Sequence, residues 1–286
     1  MLSVALLACG GSSKPSQAAS TDSAGQPVET TIVIGPDGSS SVVVVPNDPQ
    51  PAPSANCPAG AGCAGAGAGA APSTDSNGPP GSFAPAILQP AESSEVVVEV
   101  RTQSGAAPQQ ASIDHLSSVL QSVTAKTVTV AQGPGVSGGA TSWSADDLRS
   151  TADGGAAQGN GRAVIHLLFV HGSFGGDDSV LGVAVRGDTA AVFVDEVSAA
   201  STPLVGSAGI ETAVVTHEVG HLMGLVDLLL HTGRQDPDHP GHSTNSKSVM
   251  YWAVESNLVA DLLQGGPPKD FDSADLADLQ TIRNSE

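Results

Sequence analysis

Residues 216–227 place two histidines four positions apart, with a glutamate directly after the first. On a helix, His217 and His221 would lie on one face, one turn apart, so their imidazoles could bind the same metal ion. Glu218 starts about 100° further round the helix, where its carboxylate can reach a water molecule without binding the metal. The segment therefore favours a fold that positions one helix with this pair facing a cleft.

Two more residues extend the pattern. Gly224 can end the helix in a left-handed conformation, which turns the chain back. Asp227 lies three residues later and is predicted to be the third ligand. Two imidazoles, one carboxylate and one open position are typical of a catalytic zinc site rather than a structural one. The downstream histidines His231, His239 and His242 are the alternatives for the third position.

The helix pattern and the downstream segment Ser248–Tyr251 together resemble the metzincin clan of zinc endopeptidases, over roughly residues 93–286. The aspartate-ended motif is similar to the snapalysin-like branch, whereas the methionine turn and the C-terminal segment are similar to matrixins. The resemblance implies that His217, His221 and Asp227 bind zinc. It also implies that Glu218 is the general base and that Met250 is the turn methionine.

The same resemblance implies a fold class. It is an α+β, α/β-like sandwich with the metzincin fold: a twisted five-stranded mixed sheet, an active-site helix, a methionine turn and a C-terminal helix. In that family an antiparallel edge strand binds the peptide by β-addition. We assign this role to Val180–Val185.

Hydrophobic periodicity predicts the other elements. Apolar positions at helical spacing indicate a helix over Ile113–Val123, and Asp272 is predicted to cap a final helix whose Leu276, Leu279 and Ile282 face the core. The Gly- and Ser-rich segment 133–162 is predicted to be a mobile loop. The predicted strands are Val96–Val100, Thr127–Ala131, Ile165–Val170, Val180–Val185 and Ala190–Val197.

The chain is strongly acidic, with 29 Asp and Glu against 10 Lys and Arg and a formal net charge of −19. This balance argues against nucleic acid as a partner, because no basic patch is present to neutralise phosphates. It also disfavours binding to anionic lipid through a basic surface. The sequence has no run of eighteen apolar residues, so no membrane-spanning helix is expected.

The N-terminus has a different character. Residues 1–9 end in Leu-Leu-Ala-Cys and resemble a bacterial lipobox, which implies a signal peptide and a lipid-modified Cys9. Residues 10–92 are rich in Gly, Ala, Pro and Ser and are predicted to be a disordered tether, interrupted by a hairpin of Thr30–Ile34 and Ser41–Val45. The expected location is extracytoplasmic, with membrane contact only through the lipid on Cys9.

Two cysteines remain, Cys57 and Cys63, which could form a small disulfide or stay free. Gly175–Ser179 contains adjacent aspartates that could contribute to a calcium site, because hard cations favour clustered carboxylates. The sequence does not predict the oligomeric state.

Taken together, these features predict a catalytic domain over 93–286 that is a zinc-dependent endopeptidase acting on protein or peptide substrates. Glu218 is the expected general base. Two other functions stay open: a non-catalytic surface lipoprotein that uses a degenerate peptidase fold for binding, and a zinc hydrolase of non-peptide bonds. The intact Glu218 argues against the first, because a binding module does not need that carboxylate.

Overall fold

The computed structural model describes residues 74–259 and 266–285, together with the backbone of 30–34 and 40–44. The chain divides into two compact units, Met1–Gly67 and Ala68–Glu286. The first contains an antiparallel hairpin of β1 (Thr30–Ile34) and β2 (Ser40–Val44), which confirms the predicted pair of strands. The predicted lipobox, Cys9, Cys57 and Cys63 lie outside the described residues.

The second unit is built on one five-stranded sheet in the order β4-β3-β6-β9-β8. Strands β4, β3, β6 and β9 are parallel, and β8 pairs antiparallel with β9 at the edge. The chain is an α+β sandwich with a mixed sheet and an antiparallel edge strand, which confirms the predicted fold class. The strands are β3 (Glu95–Thr102), β4 (Thr127–Gln132), β6 (Arg162–Val170), β8 (Gly182–Arg186) and β9 (Thr189–Phe193).

The central strand β6 is buried on both faces, as its nearly continuous apolar sequence predicts. Successive side chains alternate between faces, so Ile165 and Leu167 pack in the larger core, while Leu168 and Val170 pack in a smaller core on the opposite face. The larger core includes α1 (Ala84–Leu88), α2 (Gln110–Thr124) and α5 (Ser207–Leu222). The smaller core includes Leu148 of α3 (Ala145–Ala152).

Helix α2 confirms the predicted periodicity, because Ile113, Leu116, Leu120 and Val123 are all buried. The folded unit also extends N-terminal of residue 93, where the sequence analysis places its start. Helix α1 forms part of the larger core, with Ile87 and Leu88 fully buried.

Segment 133–162 is not one continuous loop, contrary to the sequence prediction. It contains α3 and the short strand β5 (Ser142–Trp143), which pairs with β7 (Ser173–Phe174). Ser144 and Asp147 form a reciprocal capping box at the start of α3, and this stabilises the first turn of a short helix in a Gly-rich setting.

The predicted strand Ala190–Val197 also requires correction. Strand β9 ends at Phe193, and α4 (Val194–Ala199) follows directly. Asp195 and Glu196 lie in the first turn of this helix, where their negative charges interact favourably with the helix dipole.

The final helix, α6 (Ser273–Asn284), begins as predicted at Asp272, whose side chain accepts hydrogen bonds from the backbone N–H groups of Ala274 and Asp275. Leu279 and Ile282 are buried, but Leu276 is 45% exposed and does not face the core. The helix instead turns Asp275 inward, where its carboxylate accepts a hydrogen bond from Ser248 Oγ at 2.5 Å. Within the described residues, no helix is both long and apolar enough to cross a membrane.

Candidate metal centre

The pattern at 216–227 lies on α5, and every residue of this helix from Ile210 to Leu222 is buried. The helix packs against the sheet on one side and against the segment around Met250 on the other. It ends at Leu222, and Gly224 takes the predicted left-handed conformation with a φ of 81°. A helix enclosed on all sides holds its side chains rigidly, which is what a preorganised site requires.

His217 and His221 meet as their spacing predicts, with 3.0 Å between their Nε2 atoms. The Nδ1 of His217 lies 2.7 Å from the backbone carbonyl oxygen of Val249. Because a carbonyl can only accept, Nδ1 must carry the proton, and Nε2 is left with a free lone pair. A carbonyl that fixes the tautomer in this way is the usual outer partner of a metal-binding histidine.

Two residues from later in the chain lie beside the pair of histidines and form a group of four with them. His242 and Glu255 bring ligand atoms that lie within 4.8 Å of those of His217 and His221. Glu255 Oε1 is 2.9 Å from His242 Nε2, and Glu255 Oε2 is 3.6 Å from His217 Nε2. Within 74–259 and 266–285, this is the one group of His, Cys, Asp and Glu side chains spaced to hold a metal ion.

His242 reaches the helix because its loop is fixed to the methionine segment and to α6. The backbone N–H of Ser243 donates to the carbonyl of Met250 at 2.8 Å. Ser248 Oγ donates to Asp275 and accepts from the N–H of Met250, and Asn245 donates to Asp272. These contacts between distant parts of the chain, rather than local sequence, position His242.

Asp227 lies outside the group of four. Its Oδ1 accepts hydrogen bonds from the backbone N–H and the hydroxyl of Thr232, at 2.8 and 2.6 Å, and its Oδ2 accepts from the N–H of Gln235 at 3.4 Å. Burial acts to raise the pKa of Asp227, but the hydrogen bonds from Thr232, Gln235 and Gly233 together outweigh it and lower the pKa. In this arrangement Asp227 stabilises the loop after α5.

The other histidines also lie outside the group of four. His231 is exposed. His239 stacks on Trp252, with 4.3 Å between ring centroids and 7° between planes. Together with Val180 and Pro240, this stack lines a cavity of about 270 Å³ that also contacts His242 and Glu255. The apolar wall next to the histidines could receive a side chain of a bound ligand.

Glu218 is fully buried, and neither of its carboxylate oxygens makes a hydrogen bond of normal geometry. Burial raises its pKa well above the usual value for a glutamate, and the charge of Glu255 adds to this effect. The first residue of β8 passes close by, because a Cβ added at Gly182 would lie 2.8 Å from Glu218 Oε1. The carboxylate therefore lies between α5 and the edge of the sheet.

The residues fit a divalent cation. Nδ1 of His221 and Nδ1 of His242 are buried and make no hydrogen bond of normal geometry, and the carboxylate of Glu255 lies 2.9 Å from His242 Nε2. Buried carboxylates are costly unless a positive charge compensates them. A set of three imidazoles with carboxylates suits zinc better than calcium or magnesium, which favour oxygen ligands. Ser179 binds Asp177 locally, and Gly175–Ser179 supplies no group spaced for calcium among the described residues.

Met250 is fully buried beneath the histidine helix, where Gly220 allows it to approach. A Cβ added at Gly220 would overlap Met250 Sδ and lie 3.1 Å from Phe271 Cε1. The position predicted for the turn methionine is therefore in contact with the helix that carries both histidines.

Gly220→Ala should lower the free energy of unfolding by about 1–3 kcal/mol, because the added methyl group overpacks a rigid contact. Gly209→Ala is the matched control on the same helix, since a Cβ there meets nothing within 4 Å. The control should be neutral or stabilise by up to about 1 kcal/mol through helix propensity. Urea denaturation of both variants measures the difference, and equal stabilities would contradict the close packing of α5 on Met250.

The sequence predicts His242 only as an alternative ligand, and it does not predict Glu255 at all. A His-Pro-Gly-His segment shortly after a zinc-type helix motif was the available signal for His242. Nothing in the sequence around Glu255 distinguishes it from an ordinary surface glutamate. Its place in the group depends on the 3₁₀ turn at Trp252–Glu255 that follows the methionine.

Comparison with solved structures finds two archaemetzincins. The crystal structure from Methanopyrus kandleri is 20% identical, with a TM-score of 0.46 over 66% of this chain and 96% of that chain. The structure from Archaeoglobus fulgidus, complexed with malonate, is 18% identical, with a TM-score of 0.38 over 64% and 99%. No family model and no curated protein matches the chain. Because both identities and both TM-scores are low, we infer the function from the geometry of this chain's own residues.

Proposed function

We propose that this chain is a zinc-dependent peptidase whose metal ligands are His217, His221 and His242 and whose general base is Glu218. The convergence of two buried imidazoles and the half-buried imidazole of His242, next to the buried Glu218, supports this proposal most directly. Three protein ligands leave a position open, as in catalytic rather than structural zinc sites. His242 replaces Asp227 in the ligand set because Asp227 is engaged by Thr232.

Each side chain has a specific role in this mechanism. The hydrogen bond from His217 Nδ1 to Val249 orients the imidazole and keeps its Nε2 free. When bound, zinc would polarise the scissile carbonyl and lower the pKa of water toward neutrality. Glu218 accepts the proton from the attacking water and then donates it to the leaving amine. Three neutral imidazoles leave the charge of the cation less compensated than Asp227 would, which favours its action as a Lewis acid.

The adjacent sheet supports a peptide as the substrate. Strand β8 is an antiparallel edge strand that begins at Gly182, next to Glu218. An extended peptide can add to such an edge through backbone hydrogen bonds, which would carry its scissile bond past the histidines. A hydrolase of non-peptide bonds has no comparable need for a sheet edge beside its catalytic base.

Metal removal tests this function. The full chain should hydrolyse casein or a mixture of quenched peptides, lose this activity on treatment with 1,10-phenanthroline, and regain it with one equivalent of zinc. Hydrolysis of esters but not peptides would favour the non-peptide hydrolase. A chain that binds zinc tightly and hydrolyses neither would favour the binding protein.

A further inference from the structure

Glu255 lies among the histidines as a fourth ligand would. Its two oxygens are 2.9 Å from His242 Nε2 and 3.6 Å from His217 Nε2, and the His217 and His221 Nε2 atoms are 3.0 Å apart. In a tetrahedral zinc site with bonds near 2.0–2.1 Å, ligand atoms lie about 3.3 Å from one another. These three separations lie on either side of this value, and all four ligand atoms lie within 4.8 Å of one another. Four protein ligands are the mark of a closed site, whereas hydrolysis needs one position open.

The chain segment that carries Glu255 pairs with the approach to the edge strand. Ser256 forms an antiparallel bridge with Val180. The N–H of Leu181 donates to the carbonyl of Glu255 at 2.8 Å, and the N–H of Asn257 donates to the carbonyl of Ser179 at 2.9 Å. We refer to residues 255–257 as the strap. The strap therefore forms hydrogen bonds with the backbone of residues 179–181. These residues directly precede β8, the edge strand to which a peptide would add.

The burial of Glu218 is consistent with this arrangement. A general base must reach water, yet Glu218 has no exposed surface, and neither of its oxygens makes a hydrogen bond of normal geometry. The Glu255 side chain is itself 30% exposed, so it lies on the solvent side of the site. Removal of the strap would open this side of the site to water and to a substrate.

We propose that the strap is an autoinhibitory segment, with Glu255 as the fourth metal ligand of the resting protein and residues 255–257 in the place of a substrate strand. A peptide that adds to the sheet edge displaces the strap, and Glu255 leaves with it. The proposal deepens the proposed peptidase function and depends on it. The only bonds exchanged are a carboxylate–metal bond and backbone hydrogen bonds.

A reversible cross-link tests whether the strap must leave. Directly opposed residues of antiparallel strands have Cα atoms about 4.5–5.5 Å apart, which suits a disulfide with a span of about 4.4–6.8 Å. Val180→Cys with Ser256→Cys, in a full chain whose three native cysteines are changed to serine, should join the strap to the edge. In the cobalt-loaded protein, the oxidised form should bind acetohydroxamate at least about 10-fold more weakly than the reduced form, with equal cobalt content.

The two single-cysteine variants are the controls, and neither should respond to oxidant or reductant. Peptide hydrolysis should fall and recover in parallel with acetohydroxamate binding. Equal affinity of the oxidised and reduced double variant would overturn the proposal, because the strap would then not obstruct the site.

Glu255→Gln tests whether the carboxylate binds metal. Glutamine can still accept a hydrogen bond from His242 but is a poor ligand, so cobalt affinity should fall at least about 10-fold and the visible cobalt absorption should shift. Glu196→Gln is the matched control, since Glu196 lies on α4 away from the group of four. An unchanged spectrum and affinity in Glu255→Gln would overturn the autoinhibitory proposal but would leave the proposed peptidase function intact. A parent chain that takes up no cobalt would refute the metal centre and the peptidase function with it.

Discussion

Glu218→Gln should reduce the rate of peptide hydrolysis by at least about 10²-fold, while the zinc content stays equal to that of the parent chain. The amide keeps the size of the side chain but cannot accept a proton from the attacking water. Because Glu218 is not in the proposed ligand set, its replacement leaves the three imidazoles in place. Steady-state kinetics on a quenched peptide, together with elemental analysis of the same preparation, measure both quantities.

Glu211→Gln provides a matched control for this experiment. Glu211 is also a buried glutamate on α5, but its Oε1 accepts hydrogen bonds from the N–H of Gln109 and from the Ser112 hydroxyl at the start of α2. Its replacement should lower the free energy of unfolding and leave the rate per folded molecule unchanged. Near-parental hydrolysis in Glu218→Gln would show that Glu218 is not the general base.

His242→Ala should lower zinc affinity by more than about 10²-fold, because loss of even an outer partner of a ligand costs about 10–100-fold. Asp227→Asn should retain zinc at the parental stoichiometry. Asparagine keeps an oxygen that can accept the hydrogen bonds from Thr232, and it tolerates the left-handed backbone at this position, where φ is 65°. Competition with a chromophoric chelator measures both affinities.

The same pair of variants separates two ligand sets. If Asp227→Asn loses zinc and His242→Ala retains it, the third ligand is the aspartate that the motif spacing indicates, and the proposed set is wrong. In that case the loop at 228–247 must rearrange when the metal binds, because the structure places Asp227 against Thr232 and Gln235.

Much of the fold could be predicted from hydrophobic patterns. Strand β6 and helix α2 follow their apolar periodicity because burial decides which residues face inward. Features that depend on particular side-chain hydrogen bonds were predicted less well from the sequence. The Ser144–Asp147 capping box starts a helix where Gly-rich composition suggested a loop. At Leu276, the inward hydrogen bond of Asp275 to Ser248 set the rotation of α6 instead of the hydrophobic side chain.

The spacing of residues 217–221 is enough to predict the pair His217 and His221 with Glu218 beside them, because a helix fixes the relative positions of residues one turn apart whatever surrounds it. Long-range packing, in contrast, brings His242 and Glu255 next to this pair and leaves Asp227 outside the group. These residues lie in irregular segments, whose paths are set by contacts with α6 and with the edge of the sheet. No local spacing rule encodes such contacts, since they form only when distant parts of the chain pack together.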